Sequence, residues 1–126
     1  MTAVLDASAL LTILLDERGA EQVQPHLATG QISVVNLCET YTKLVEAGLS
    51  KAEAEAQVAR LELHICPFAE DHALEAALLR PLTRHLGLSL GDRACLALAR
   101  LGKLPVITAD RAWAELDLGI DIIVIR

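Results

Sequence analysis

Aromatic side chains are almost absent from this chain. One Trp, one Tyr and one Phe make up 2% of its 126 residues. They leave no platform for stacking bases, so Leu, Ala, Val and Ile must fill the core. Cysteine is scarce and scattered: Cys38, Cys66 and Cys95 form no CxxC pair and no Cys/His cluster at zinc spacing. That excludes zinc-ribbon and thioredoxin-type redox chemistry. Each cysteine lies among apolar residues and reads as a small core residue, in keeping with a reducing, cytoplasmic setting. Long apolar runs are missing too. None approaches the ~20 residues of a membrane span. The opening MTAVLDASALLTILLDE has no basic segment and is interrupted by Asp6, which argues against a signal peptide. Basic charge is in deficit, with 11 Lys and Arg against 17 Asp and Glu, a net −6. A broad basic surface gripping nucleic acid is excluded. Any nucleic-acid chemistry must rest on a local site, a few arginines, or metal ions that invert the local charge.

What the chain does have is aliphatic residues. It is 53% hydrophobic, ample for one core at this length and far from the composition of disorder. One domain over residues 1–126 is expected, without linker, repeat or low-complexity stretch. Strand and helix signals alternate along it. Apolar or β-branched runs predict strands at 2–5, 31–35, 64–66, 105–108 and 120–125. Helical patterns cover 7–15, 21–28, 36–49, 50–61, 69–86 (bent or restarted at Pro81), 89–101 and 110–116. Asn36 with Glu39, Ser50 with Glu53, and Ser89 with Asp92 have the spacing of capping boxes. The last strand is almost continuously apolar, as in a parallel sheet covered on both faces. The pattern predicts a three-layer α/β/α domain around a parallel sheet of about five strands.

Four acids stand where such a fold does chemistry. Asp6 directly follows the first strand and Asp110 lies just beyond the fourth, while Glu39 and Asp92 sit in the first turns of helices. In open α/β sheets the carboxyl ends of strands and the helices leaving them share one rim. Asp6 and Asp110 meet there if strands one and four are neighbours. Four gathered carboxylates raise one another's pKa values or recruit a cation, and hard ions such as Mg²⁺ and Mn²⁺ prefer oxygen-only surroundings. Each acid also has a structural reading. Asp6 and Asp110 suit helix caps, Asp92 and Glu39 complete capping boxes, and Glu39 has ion-pair spacing to Lys43. Cys95, Leu96 and Ala99 extend an apolar stripe from Asp92, which turns that carboxylate toward the body of the protein.

The segments VLDASALL, VVNLCETYTKL, LSLGDRACLALA and VITADRAW resemble, in order, the motifs of PIN domains, and most closely those of VapC toxins of toxin–antitoxin pairs. The resemblance runs from the first strand to the last. It implies a metal-dependent ribonuclease with Asp6, Glu39, Asp92 and Asp110 as catalytic and metal-holding acids for Mg²⁺ or Mn²⁺. It implies RNA as substrate, products with a 5′-phosphate and a 3′-hydroxyl, a VapB-like antitoxin as partner, and a homodimer. Thr108 matches the Thr or Ser that often stands two residues before the last acid. Ser8 and Asp117 are further accessory candidates. Arg80, Arg84, Arg93 and Arg111 are the candidates for RNA phosphate contacts.

Other readings fit less well. A haloacid-dehalogenase-type phosphotransferase wants a second Asp two residues after the first, where Ser8 stands. A receiver domain wants a phosphoacceptor Asp after its third strand, where Cys66-Pro67-Phe68 stands. A dinucleotide fold wants a glycine-rich turn where Asp6-Ala7-Ser8 stands. A non-toxin PIN-like RNA-processing or RNA-binding protein remains the main alternative. His26, His64, His72 and His85 pair with no nucleophile at a recognisable spacing.

Overall fold

The computed structural model describes residues 2–126. Five short parallel strands form one sheet in the order β3-β2-β1-β4-β5. They are β1 (Val4–Leu5), β2 (Gln31–Ser33), β3 (His64–Cys66), β4 (Val106–Thr108) and β5 (Ile122–Val124). Six α-helices accompany them: α1 (Ala7–Leu14), α2 (Ala20–Val23), α3 (Val34–Glu46), α4 (Lys51–Ala59), α5 (Glu70–Thr83) and α6 (Leu90–Gly102).

The side-chain alternation of the strands divides the core. Val4 and Val106 pack on one face of the sheet with Leu79 of α5, Cys95 and Leu96 of α6, and Trp113. Leu5 and Ile107 point to the other face, where Ala9, Val23, Leu27 and Ile125 meet them. A third cluster joins α3 to α4 through Leu37, Leu44, Ala54 and Val58, with Leu11 and Leu14 of α1 against it. The result is the three-layer α/β/α arrangement expected, with helices on both faces of a parallel sheet.

Several expectations change in detail. Residues 34–35 are helical, because Ser33 Oγ accepts a hydrogen bond from Val35 N and starts α3 there. Asn36 is therefore not the cap of α3. It lies inside the first turn and is 1% exposed. The last strand is shorter than its apolar run, since β4 offers only Val106, Ile107 and Thr108 to pair with Ile122, Ile123 and Val124. Helix α5 runs through Pro81 without restarting, and gives way to a 3₁₀ turn after Thr83. Of the cysteines, Cys66 and Cys95 are core residues, but Cys38 is exposed on α3. The boxes at Ser50–Glu53 and Ser89–Asp92 form in full.

Leu79 is fully buried between α5 and α6. Leu79→Ala is expected to cost about 2–5 kcal/mol of stability, read from the chemical-denaturation midpoint at unchanged slope. A loss under about 1 kcal/mol would mean that α5 does not pack as described.

Candidate active site

Chain connectivity reverses direction at β1. The chain passes from β1 to β2 on one side, while β4 pairs with β1 on the other. The carboxyl ends of β1 and β4 therefore border the crevice where open sheets bind ligands. Asp6 leaves β1 there, with its N–H bonded to Ile107 O at 3.2 Å. It is 4% exposed. Three short hydrogen bonds hold its carboxylate. Oδ1 accepts from Ser8 Oγ at 2.7 Å and from Ala9 N at 2.8 Å, and Oδ2 accepts from Thr108 Oγ1 at 2.6 Å. Thr108 in turn accepts from Asp110 N at 3.0 Å, and Ser8 Oγ accepts from Ala109 N at 2.9 Å. Two hydroxyls thus sew the ends of β1 and β4 together around one carboxylate.

The other acids arrive from helix starts. Asp110 caps the 3₁₀ turn Arg111–Glu115 through Ala112 N at 3.0 Å. Asp92 Oδ2 accepts from Ser89 N at 3.0 Å in the capping box of α6. Glu39, one turn into α3, accepts from Asn36 Nδ2 at 3.0 Å and does not close a capping box. Asp6, Glu39, Asp92 and Asp110 line one pocket of about 240 Å³, together with Ala7, Ser8, Leu11 and Lys43. Asp6, Asp92 and Asp110 each cap a helix start and also line this pocket.

The electrostatics follow from burial. Desolvation pushes the Asp6 pKa up to about 6, against the lowering hydrogen bonds from Thr108, Ala9 and Ser8, and the charge of Asp92 adds to the rise. Desolvation also raises the Glu39 pKa; the Asn36 hydrogen bond opposes this and Asp92 adds to it. Cys95, buried beneath the acids, has its thiol raised by burial and by Asp6, Asp92 and Glu39, and stays neutral.

Among the described residues, no three Asp, Glu, His or Cys side chains stand close enough to enclose one ion by themselves. The donor set nevertheless fits a hard divalent cation. It is oxygen-only and rich in negative charge, and the pocket has room for water to complete the shell, as Mg²⁺ requires.

The remaining candidates divide. Thr108 and Ser8 are part of the constellation. Asp117 is exposed and outside the pocket. None of the four arginines lines it. Arg93 donates to Ala76 O at 3.0 Å and Arg80 to Leu88 O at 3.4 Å, so both are tied to α5 and its surroundings. Arg111 donates through Nε to Arg126 O at 3.0 Å, and Arg84 is exposed. The cation that lines the pocket is Lys43. Sequence spacing suggests a pair with Glu39, but Lys43 stands 3.6 Å from Glu46 instead. Its i,i+4 relation to Glu39 on an acidic helix face is the signal for it.

The PIN-domain family pattern matches residues 3–118. The chain belongs to the PIN-domain family. Solved structures agree on the fold of this PIN domain. It resembles VapBC2 from Rickettsia felis, bound to a DNA fragment from its promoter, with TM-score 0.75 and 14% identity over 97% of each chain. It resembles VapC20 of Mycobacterium tuberculosis, a sarcin-ricin loop cleaving toxin, with TM-score 0.71 and 16% identity over 96% of this chain and 99% of that one. It also resembles VapBC-5 from Mycobacterium tuberculosis, a member of the VapBC family of toxin–antitoxin systems, with TM-score 0.62 and 25% identity over 98% of each chain. No curated protein matches in sequence.

The raised Asp6 pKa has a stability signature. Between pH of about 4 and 6 the folded state keeps a proton that the unfolded chain has released. The contribution of Asp6 is therefore fully present below about pH 4 and is lost as pH rises through about 6. A tenfold difference in proton affinity between the folded and unfolded chain is worth about 1.4 kcal/mol. In EDTA at pH 7.5, Asp6→Asn is expected to melt several degrees above the wild type, and the gap should shrink toward pH 4. Parallel melting curves for the two proteins across that range would contradict the buried, raised carboxyl.

Proposed function

We propose that this PIN domain is a Mg²⁺- or Mn²⁺-dependent ribonuclease that hydrolyses RNA phosphodiester bonds, and that it is the toxin of a toxin–antitoxin pair. The observation that carries the reading is Asp6, a buried carboxylate at the reversal point of the sheet that shares a pocket with Glu39, Asp92 and Asp110. Asp6, Asp92 and Asp110 would hold the metal, with Glu39 binding it directly or through water. A bound divalent ion lowers the pKa of an attacking water and neutralises charge on the phosphate oxygens.

The protein's own residues do the rest. Ser8, Thr108 and the Ala9 amide hold the Asp6 carboxylate rigid and supply donors that favour its charged form. The cap bonds of Asp92 and Asp110 fix those carboxylates to helix starts. Lys43, in the pocket lining, offers an RNA phosphate a cation among otherwise acidic walls.

Exposed apolar surface supports the partners that the resemblance implies. A groove of about 540 Å³ on the outer side of α3, lined by Val34, Leu37, Cys38, Tyr41 and Val45, suits an amphipathic helix of a VapB-like antitoxin. Leu74, Leu78 and Leu82 recur every four residues along α5 and are at least half exposed, which suits a homodimer. Among the described residues no helix is long and apolar enough to cross a membrane. A toxin of this kind acts on RNA in the cytoplasm.

The purified chain is expected to cleave RNA only with Mg²⁺ or Mn²⁺ and to stop in EDTA. Asp6→Ala and Asp110→Ala should each lower cleavage at least ~100-fold, with circular dichroism unchanged. Cleavage that survives both substitutions and EDTA would sink the assignment. In cells, expression of the chain alone should slow growth, the cognate antitoxin should restore it, and Asp6→Ala should be harmless while still binding the antitoxin. A soluble wild-type chain that is harmless in its own host, with every candidate antitoxin deleted, would remove the toxin role and leave an RNA-processing nuclease.

A further inference from the structure

Asn36 is a buried polar side chain that bridges two helices beside the acidic pocket. It is 1% exposed in the first turn of α3. Its Nδ2 donates to Glu39 Oε1 at 3.0 Å and to Gly91 O at 2.9 Å, across 55 residues of sequence. Both partners are acceptors only, so the orientation of the amide is determined. Its Oδ1 is buried and has no hydrogen-bond partner. A buried acceptor without a partner costs stability. The gain therefore lies with what the two N–H groups hold.

Gly91 forms the other half of the arrangement. It lies in the first turn of α6, directly before Asp92. A Cβ built on it would stand inside contact distance of all three heavy atoms of the Glu39 carboxyl group. Glycine weakens a helix relative to alanine, and nothing about the backbone of Gly91 demands it, since its φ is not positive. What demands glycine is the Glu39 carboxylate resting on its Cα.

We infer that Asn36 and Gly91 form a seat that fixes the Glu39 carboxylate beside Asp92, with Asn36 as a positioning residue and Gly91 as the gap that admits the carboxylate. The inference rests on the reading of the acidic pocket as a divalent-metal site. One amide ties the first turns of α3 and α6 together, so the distance between Glu39 and Asp92 is set by a hydrogen bond and a missing methyl group. Substituting either residue leaves Glu39 in place chemically and moves it off the site.

The test uses the full chain and Mn²⁺ alone, with affinity read by calorimetry in the absence of RNA. Glu39→Gln, Asn36→Ala and Gly91→Ala are each expected to weaken Mn²⁺ by about 10- to 100-fold, as losses of metal-orienting contacts do. In the Glu39→Gln background, Asn36→Ala should add less than about twofold, because it acts through Glu39. With RNA, kcat should fall while KM stays unchanged. Gly91→Ala should fold normally, since the group it displaces is the free end of a flexible side chain, and so carries the test if Asn36→Ala is insoluble. Equal weakening by Asn36→Ala in both backgrounds would overturn the inference, as would unchanged Mn²⁺ affinity in Glu39→Gln or in both seat variants. Asp6→Asn separates the two levels. If it abolishes Mn²⁺ binding while the seat variants bind normally, only the seat fails. If it leaves Mn²⁺ affinity intact, the metal site fails and the seat with it.

Discussion

The Asp6 carboxylate is buried at the end of a two-residue strand, and the site is organised around keeping it there. Burial alone would favour its protonation, and the fold supplies three donors to oppose that. Those donors come from two chain segments about a hundred residues apart, so the same bonds that hold the carboxylate also lock β1 to β4. The central strand pair and the centre of the site are one object. A change that loosens Thr108 or Ser8 is felt in the sheet and in the pocket together.

The same economy extends to the other acids. Asp92 and Asp110 each use an oxygen to satisfy orphan amides at a helix start. Capping fixes the carboxylate to a rigid element, which is what a metal ligand requires. Helix starts also gather at the carboxyl ends of parallel strands. A fold of this type therefore concentrates capping acids at one rim without further contrivance.

The order of strands and helices was legible in the chain, because it depends on local pattern, while local pattern left each of the four acids with a capping or ion-pair reading and the resemblance to PIN domains singled them out. Asp6 and Asp110 stand next to apolar strands, and Ser89 with Asp92 states its own cap. What was not legible depended on contacts between distant segments. Val34 and Val35 read as strand, since nothing local reveals that Ser33 caps a helix ahead of them. Asn36 has the composition of a cap and is instead a bridge to Gly91. Cys38 looks apolar in context but faces outward. Arg93 follows a site acid in sequence, yet its guanidinium is drawn under α5 by Ala76 O. Helical periodicity reports which residues share a face, and says nothing about which partner that face will meet.

Helix α3 presents two surfaces at once. Asn36 and Glu39 face the acidic rim, while Val34, Cys38, Tyr41 and Val45 line the groove on its outer side. The thirteen residues of α3 form one continuous rod of helix. Any ligand in the groove that tilts this rod changes the position of Glu39 without entering the pocket. By thermodynamic reciprocity, the factor by which it alters cation affinity is the factor by which the cation alters its own. If the pocket holds a cation as proposed, an occupant of the groove is coupled to that cation through the position of one helix.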